Sequence, residues 1–299
     1  MLNLDVATVE VLQTRSSLVN GLMNHIDVSD RPIMIFAPGN PGFVYFYDEF
    51  VEEMDSIGLD CVVIGFAGHS VSELNNNLVF DLQNQIELVH EFFVKAEVAL
   101  RKRRACHVGG HSIGAYIAVH MLARFPHLLK RGFLLAPTLC NLKDSPNGKR
   151  NKKFLTSNVI SFLSWTCKQA ARAPTALQEA AIRYFCPAVN NKYARIATRM
   201  ARANFVRNVL HLAASEFAQL CSLDLALLQQ VQHRIVAYYV KVDGWVPRSD
   251  VELFSRSAPS AIVVLEEDDS VLHAWVLHSN RTVVANGISR FVHDVPVEY

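Results

Sequence analysis

Short, continuous apolar runs alternate along this chain with stretches whose apolar residues recur at helical spacing. Runs without polar alternation predict strands buried on both faces, as in a mostly parallel sheet covered by helices. Val6–Thr14, Pro32–Ala37, Leu59–Phe66, Cys106–Val108, Gly132–Pro137, Arg234–Val242 and Ala261–Leu265 are the predicted strands. Helices are predicted over Phe43–Ile57, Leu78–Arg103, Ala115–Ala123 and Val276–Val292; the second ends in Arg101-Lys102-Arg103-Arg104, cations suited to the negative end of its dipole. Between Pro137 and Arg234 the alternation stops. Only helical patterns remain there, over a span far longer than a loop. The expected architecture is an α/β core formed by residues 1–138 and 231–299, with a mostly parallel central sheet flanked by helices, and an α-helical cap inserted as residues 139–230.

Charge sharpens this division. The whole chain carries 29 Lys and Arg against 28 Asp and Glu, a net of +1 that gives no global attraction to nucleic acid or membrane. The segment Leu139–Gln230 holds 13 basic and 4 acidic residues, net +9, which leaves 16 and 24, net −8, for the remainder. Within that basic segment Lys143, Lys149, Arg150, Lys152 and Lys153 occupy a Pro/Asn/Gly loop before the apolar stretch Phe154-Leu155 to Phe162 and Trp165. Cations beside a short apolar segment ending in Trp fit an element lying on an anionic lipid surface, and equally fit a helix packed on the core beneath a basic loop. With 51% apolar residues the chain can fill a core, which excludes a disordered reading.

Other signals are negative. Met1-Leu2-Asn3-Leu4-Asp5 opens with neither a basic region nor an apolar one, so no signal peptide is expected, and no run approaches the length of a membrane span. Six scattered cysteines without C-x-x-C spacing are expected to be small core residues in a reducing compartment. The sequon Asn280-Arg281-Thr282 is accordingly expected to be idle, and Asn75-Asn76-Asn77 to be a loop. No H-E-x-x-H or other ligand spacing suggests a metal, and no cofactor is expected.

The chemistry is concentrated at Gly110-His111-Ser112-Ile113-Gly114, a G-x-S-x-G entered from an apolar strand and left through a helix. A serine on a tight strand-to-helix turn is exposed at the top of a sheet, and the helix-start amides face the place where an oxyanion forms. A nucleophilic serine also needs a base and a carboxylate, which in this class of fold follow it in the order acid, then histidine. Asp243, just past the strand Ile235–Val240, is the candidate acid, although a turn Asp before Gly is common for local reasons. Asp268 and Asp269 are rivals. His273, between the last strand and the last helix, is the candidate base, with His278 as a rival inside the helical pattern and His111 packed in the elbow. One oxyanion donor is expected at the amide of Ile113. The other is expected in Pro38-Gly39-Asn40-Pro41-Gly42, where the prolines lack N–H and Asn40 fits best; a plain Pro/Gly turn is the alternative. Phe43, Tyr45, Phe46 and Tyr47 are candidates for an acyl pocket or for core.

Four segments together resemble the lipid droplet-associated hydrolase family: Pro38-Gly39-Asn40-Pro41-Gly42 with Phe43 to Tyr47 after it, the elbow, Asp243-Gly244-Trp245-Val246-Pro247, and His273-Ala274-Trp275-Val276-Leu277. The first signature is specific, whereas the elbow is shared by many esterases. The resemblance covers most of the α/β body from about Pro32, and the cap only in position and helical character. It implies an α/β-hydrolase fold, a Ser112/Asp243/His273 triad, association with lipid droplets and the endoplasmic reticulum, and weak activity on lipid esters such as sterol esters. The expectation is therefore a serine hydrolase of lipophilic carboxylic esters at the cytoplasmic face of the droplet monolayer. Its role would lie in lipid storage and in cholesterol and triglyceride homeostasis, with no nucleic-acid partner. A droplet-binding protein acting through its basic, apolar cap and a soluble carboxylesterase are the competing readings.

Overall fold

The computed structural model describes residues 1–27, 29–71, 78–185, 189, 191–278 and 280–292. Its strands are β1 (Leu2–Asn3), β2 (Thr8–Val9), β3 (Val11–Gln13), β4 (Ile33–Ala37), β5 (Asp60–Ile64), β6 (Cys106–His111), β7 (Leu129–Leu135), β8 (Ile235–Val240) and β9 (Ile262–Glu266). Apart from the small β1–β2 ladder, they form a seven-stranded sheet in the order β3-β5-β4-β6-β7-β8-β9. Only β3 runs antiparallel within it. The predicted strand Val6–Thr14 is thus broken into β2 and β3, with Glu10 between them using its carbonyl to accept from Gly65 N–H of the next strand's exit.

Every residue of β4, β5 and β8 is buried, which is why these strands read as unbroken apolar runs. Their side chains alternate between two cores. Ile33, Ile35, Val62, Ile64, Val108 and Leu134 pack on one face; Met34, Phe36, Val63, Phe133, Leu135 and Val236 pack on the other. The first face is covered by α1 (Leu18–Met23), α3 (Leu82–Leu100) and α4 (Ile113–Arg124), and the second by α2 (Asp48–Ser56) and α12 (Arg281–Val292). α3 starts at residue 82 rather than at 78 because Asp81 caps it: its carboxylate accepts from Asn84 N–H while the Asn84 side chain accepts from Asp81 N–H. α12 starts at Arg281, not at Val276, because Trp275–Leu277 forms a 3-10 turn that buries Trp275 completely. His278 therefore precedes the last helix instead of lying within it.

Between β7 and β8 the chain is helical: α5 (Pro146–Asn151), α6 (Ser157–Ala170), α7 (Thr175–Phe185), α8 (Asn191–Thr198), α9 (Ala203–Gln219) and α10 (Leu225–Val231). α11 (Arg248–Ser257) follows β8. The stretch expected to be a basic loop is instead α5 followed by a 3-10 turn over Lys152–Phe154; Ser145 caps α5 by accepting from Gly148 N–H, with Pro146 at the first helical position. Lys149, Arg150, Lys152, Lys153 and Phe154 are exposed there, but Leu155 is half-buried. Among the described cysteines Cys61, Cys106 and Cys140 are buried, whereas Cys221 is exposed and so is not the core residue expected. Cys186 and Asn75-Asn76-Asn77 lie outside the described residues. No helix among the described residues is long and apolar enough to cross a membrane.

Candidate active site

β6 ends at His111 and α4 begins at Ile113, so Ser112 alone makes the turn, at φ 54° and ψ −119°. A non-glycine residue in the left-handed region costs about 1–3 kcal/mol and is kept only where its surroundings enforce it. The enforcement is visible on both sides: a Cβ on Gly110 would lie 2.0 Å from the Gly114 carbonyl oxygen, and one on Gly114 would lie 2.1 Å from that of Ala37. Helix and strand can approach this closely only because both elbow positions are glycine. The turn leaves the Ile113 amide at the first helical position, where a helix offers no internal acceptor.

Ser112 Oγ meets His273 Nε2 at 2.9 Å, and His273 Nδ1 meets Asp243 Oδ2 at 2.7 Å. The carboxylate accepts, so His273 carries its proton on Nδ1 and its bare Nε2 accepts from the serine hydroxyl. Asp243 is fixed by the turn that follows β8: its other oxygen accepts from Trp245 N–H at 2.7 Å and Val246 N–H at 3.1 Å. The side chain of Asp243 is 2% exposed, which shields the pair from solvent. The rivals are engaged elsewhere, Asp268 with Ser270 N–H and Asp269 with Lys241.

His111 does more than pack in the elbow. Gly39 N–H donates to Tyr47 Oη, Tyr47 O–H donates to His111 Nδ1, and His111 Nε2–H donates to the His273 carbonyl, each at 2.7 Å. This chain ties the loop after β4 to the loop bearing His273, through the residue beside Ser112. It requires a neutral imidazole, and burial, with the neighbouring His273 second, pushes the His111 pKa down to about 3. His69 secures the far end of the same loop by accepting from Gly42 N–H at 2.9 Å, and burial lowers its pKa to about 3 as well. With Pro38 and Pro41 lacking N–H, and Gly39 and Gly42 already bonded, Asn40 carries the one amide of this stretch with no such engagement. A Cβ on Gly39 would lie 3.2 Å from that of Ser112, which sets the loop directly against the nucleophile.

These groups open into a cavity of about 590 Å³ whose walls are mostly apolar, including Phe46, Leu163, Val209, Phe217, Trp245 and Leu277. Phe46 and Tyr47 therefore both line the pocket and belong to the core, while Phe43 belongs to the core alone and the half-buried Tyr45 packs against it. Phe154 and Leu155 reach the cavity from the basic segment, so these two are pocket wall as well as candidate lipid contacts. Phe162 and Trp165, 61% and 58% exposed, stack on each other on the outer side of α6. The described lining residues include neither Lys nor Arg, and one carboxyl, Glu216. No group of acidic, His or Cys side chains suited to a metal occurs among the described residues.

A strained serine between a parallel strand and a helix, hydrogen-bonded to a histidine and through it to an aspartate on loops after later strands of the same sheet, is the arrangement of the α/β-hydrolase fold. Within that class the match is narrower. The family model for the lipid-droplet associated hydrolases covers residues 30–276, and the chain belongs to that family. Similar curated relatives include the lipid droplet-associated hydrolases of Mus musculus, 27% identical with 88% of this chain and 86% of that one covered, and of Drosophila melanogaster, 25% identical with 85% and 87% covered. Among solved structures, a haloalkane dehalogenase from Bradyrhizobium elkani superposes with a TM-score of 0.70 at 13% identity, covering 97% of this chain and 96% of that one, a likeness of fold alone.

The sequence offered Tyr47 as pocket or core and His111 as packing in the elbow, but missed the hydrogen bonds both make, and missed His69 and Glu216. The only hint was that Tyr47 and His111 sit beside motif residues; their pairings span 64 and 162 positions and leave no local pattern.

Proposed function

We propose that the protein is a serine hydrolase of neutral, lipophilic carboxylic esters acting at the lipid droplet surface. The observation that carries this reading is the Ser112–His273–Asp243 chain opening into a large cavity lined without a cation. A buried anionic headgroup would be unpaired there, at a cost of several kcal/mol, whereas a sterol or glyceride ester buries apolar surface favourably. Ser112 Oγ attacks the ester carbonyl carbon as His273 Nε2 takes the hydroxyl proton, and Asp243 stabilises the imidazolium. The amides of Asn40 and Ile113 hold the oxyanion. Collapse breaks the ester C–O bond, His273 gives its proton to the leaving alcohol, and water, activated by the same histidine, releases the acid from Ser112.

The relatives' name, lipid droplet-associated hydrolase, supports a droplet location. The exposed Phe162 and Trp165, together with the exposed Lys149, Arg150, Lys152 and Lys153, suit a monolayer that is apolar beneath an anionic headgroup layer. The helices of residues 139–230 then serve as both pocket wall and docking face, and the cytoplasmic side of the endoplasmic reticulum, where droplets form, is the matching membrane. The test is fluorophosphonate labelling of wild type and Ser112→Ala with and without a cholesteryl ester emulsion. Labelling lost in Ser112→Ala and enhanced by the emulsion is expected. Unlabelled wild-type protein under both conditions would transfer the function to lipid-surface binding alone.

A further inference from the structure

α9 forms one wall of the cavity with Val209, Ala213, Glu216 and Phe217, a single helical stripe. A carboxyl on that stripe is out of place among its neighbours. Glu216 is 6% exposed, and burial, opposed only by a hydrogen bond from Asn40, pushes its pKa up to about 8. Near neutral pH it is a carboxylic acid rather than a carboxylate, and can face an apolar cavity without an ion partner.

The contact with Asn40 explains its presence. Asn40 Nδ2 donates to Glu216 Oε1 and to the Val209 carbonyl, both at 3.0 Å, so α9 grips this side chain at two points. The adjoining Gly39 has no Cβ, which eases its close approach to Ser112, and a glycine places little restraint on the peptide that follows it. That peptide carries the Asn40 N–H. Its carbonyl side is tied through Gly39 N–H to Tyr47, and the hydrogen bonds described on its Asn40 side are those made with α9.

We propose that Glu216 is a positioning residue for the oxyanion hole: by holding the Asn40 side chain it fixes the direction of the Asn40 N–H, and thereby makes the geometry of the hole depend on where α9 sits. The inference rests on the reading of Ser112 as nucleophile and of Asn40 as oxyanion donor. It makes the helical segment between β7 and β8 part of the catalytic apparatus. A displacement of α9, as when the segment docks on lipid, would tighten or release the donor without touching the triad.

The experiment uses the full chain and p-nitrophenyl butyrate, a soluble ester that needs no lipid surface. Labelling of wild-type Ser112 by fluorophosphonate comes first; its absence overturns both readings, and its presence leaves only the role of Glu216 in question. Glu216→Leu is expected to lower kcat by about ten- to a hundredfold, less than the full loss of an oxyanion donor, with KM held within about threefold. Affinity for a trifluoromethyl ketone, whose adduct places an oxyanion in the hole, should fall by the same factor. Glu216→Gln keeps the acceptor carbonyl and should restore most of the lost kcat, whereas Asn40→Ala should reproduce the Leu variant. Wild-type kcat in Glu216→Leu or Asn40→Ala, a kcat loss without matching loss of ketone affinity, or no rescue by Gln would overturn the proposal. If the Leu variant fails to fold, the Gln and Asn40 variants decide it by the same criteria.

Discussion

The α/β body and the helical segment between β7 and β8 meet at one cavity but are built by opposite rules. In the body, the polar groups that hold the site are buried and bonded at several points: Asp243 with two amides and a histidine, Tyr47 with an amide and a histidine. In the helical segment, apolar side chains such as Phe162, Trp165 and Leu177 are exposed, and so are the cations Lys149, Arg150, Lys152 and Lys153. Low dielectric and these multiple hydrogen bonds make the body a place where atoms are held still. An amphipathic exterior makes the helical segment a place where something else is met. The difference separates two questions usually asked together of such an enzyme, what bond it breaks and where it finds it.

That contrast breaks if the body's fixed hydrogen bonds prove dispensable. Asp243→Asn leaves the geometry but favours the wrong histidine tautomer, and its kcat should fall by about ten-thousandfold on any ester. A loss below about tenfold, measured on p-nitrophenyl butyrate, would mean the imidazole is oriented by other contacts. A smaller effect tests the other half. Replacing Lys149, Arg150, Lys152 and Lys153 together by Gln should weaken binding to phosphatidylserine vesicles by about a hundredfold or more, since each cation contributes about 1 kcal/mol near an anionic surface. Flotation at low and high salt checks this, and unchanged binding would leave the apolar face of α6 as the only anchor.

The sequence carried the body far better than the helical segment. Unbroken apolar runs betray doubly covered strands, and the elbow's glycines and the late Asp-Gly turn announce chemistry at strand ends. Even there the last helix was placed too early, because Trp275-Val276-Leu277 is as apolar as a helix start while Trp275 is in fact the plug of a 3-10 turn. Lys149 and Arg150 read as loop because Pro146 and Gly148 sit among them, yet a proline at the first turn starts a helix rather than ending one. Glu216 was invisible: on a helix rich in polar residues, nothing local distinguishes a carboxyl that faces a cavity from one that faces water.

The smallest expected effect lies where the two regions touch. Folding makes Glu216 hold its proton more tightly than it does in the unfolded chain. Its contribution to stability is therefore complete in acid, below the ordinary glutamate range, and drains away as pH rises towards about 8. His111 and His69, both held near 3, act in the reverse sense: their contribution is lost as pH falls from 6.5 towards 3, where the unfolded chain takes up protons that the folded one does not. Urea midpoints of wild type should thus decline between neutral and mildly alkaline pH, and those of Glu216→Gln should not. Parallel curves would place Glu216 in a better-hydrated setting than its burial indicates.

Ser112 precedes His273 by 161 positions, with the whole helical segment between them. As the chain leaves the ribosome, the nucleophile and the apolar wall that will surround it are made well before β8 and β9 deliver the acid and the base. A nascent chain at this stage has Ser112 but not the histidine whose Nε2 its hydroxyl meets. The hydrogen-bonded Ser112–His273–Asp243 chain is thus completed as one of the last events of biogenesis, and a chain cut short before β9 would lack His273 altogether.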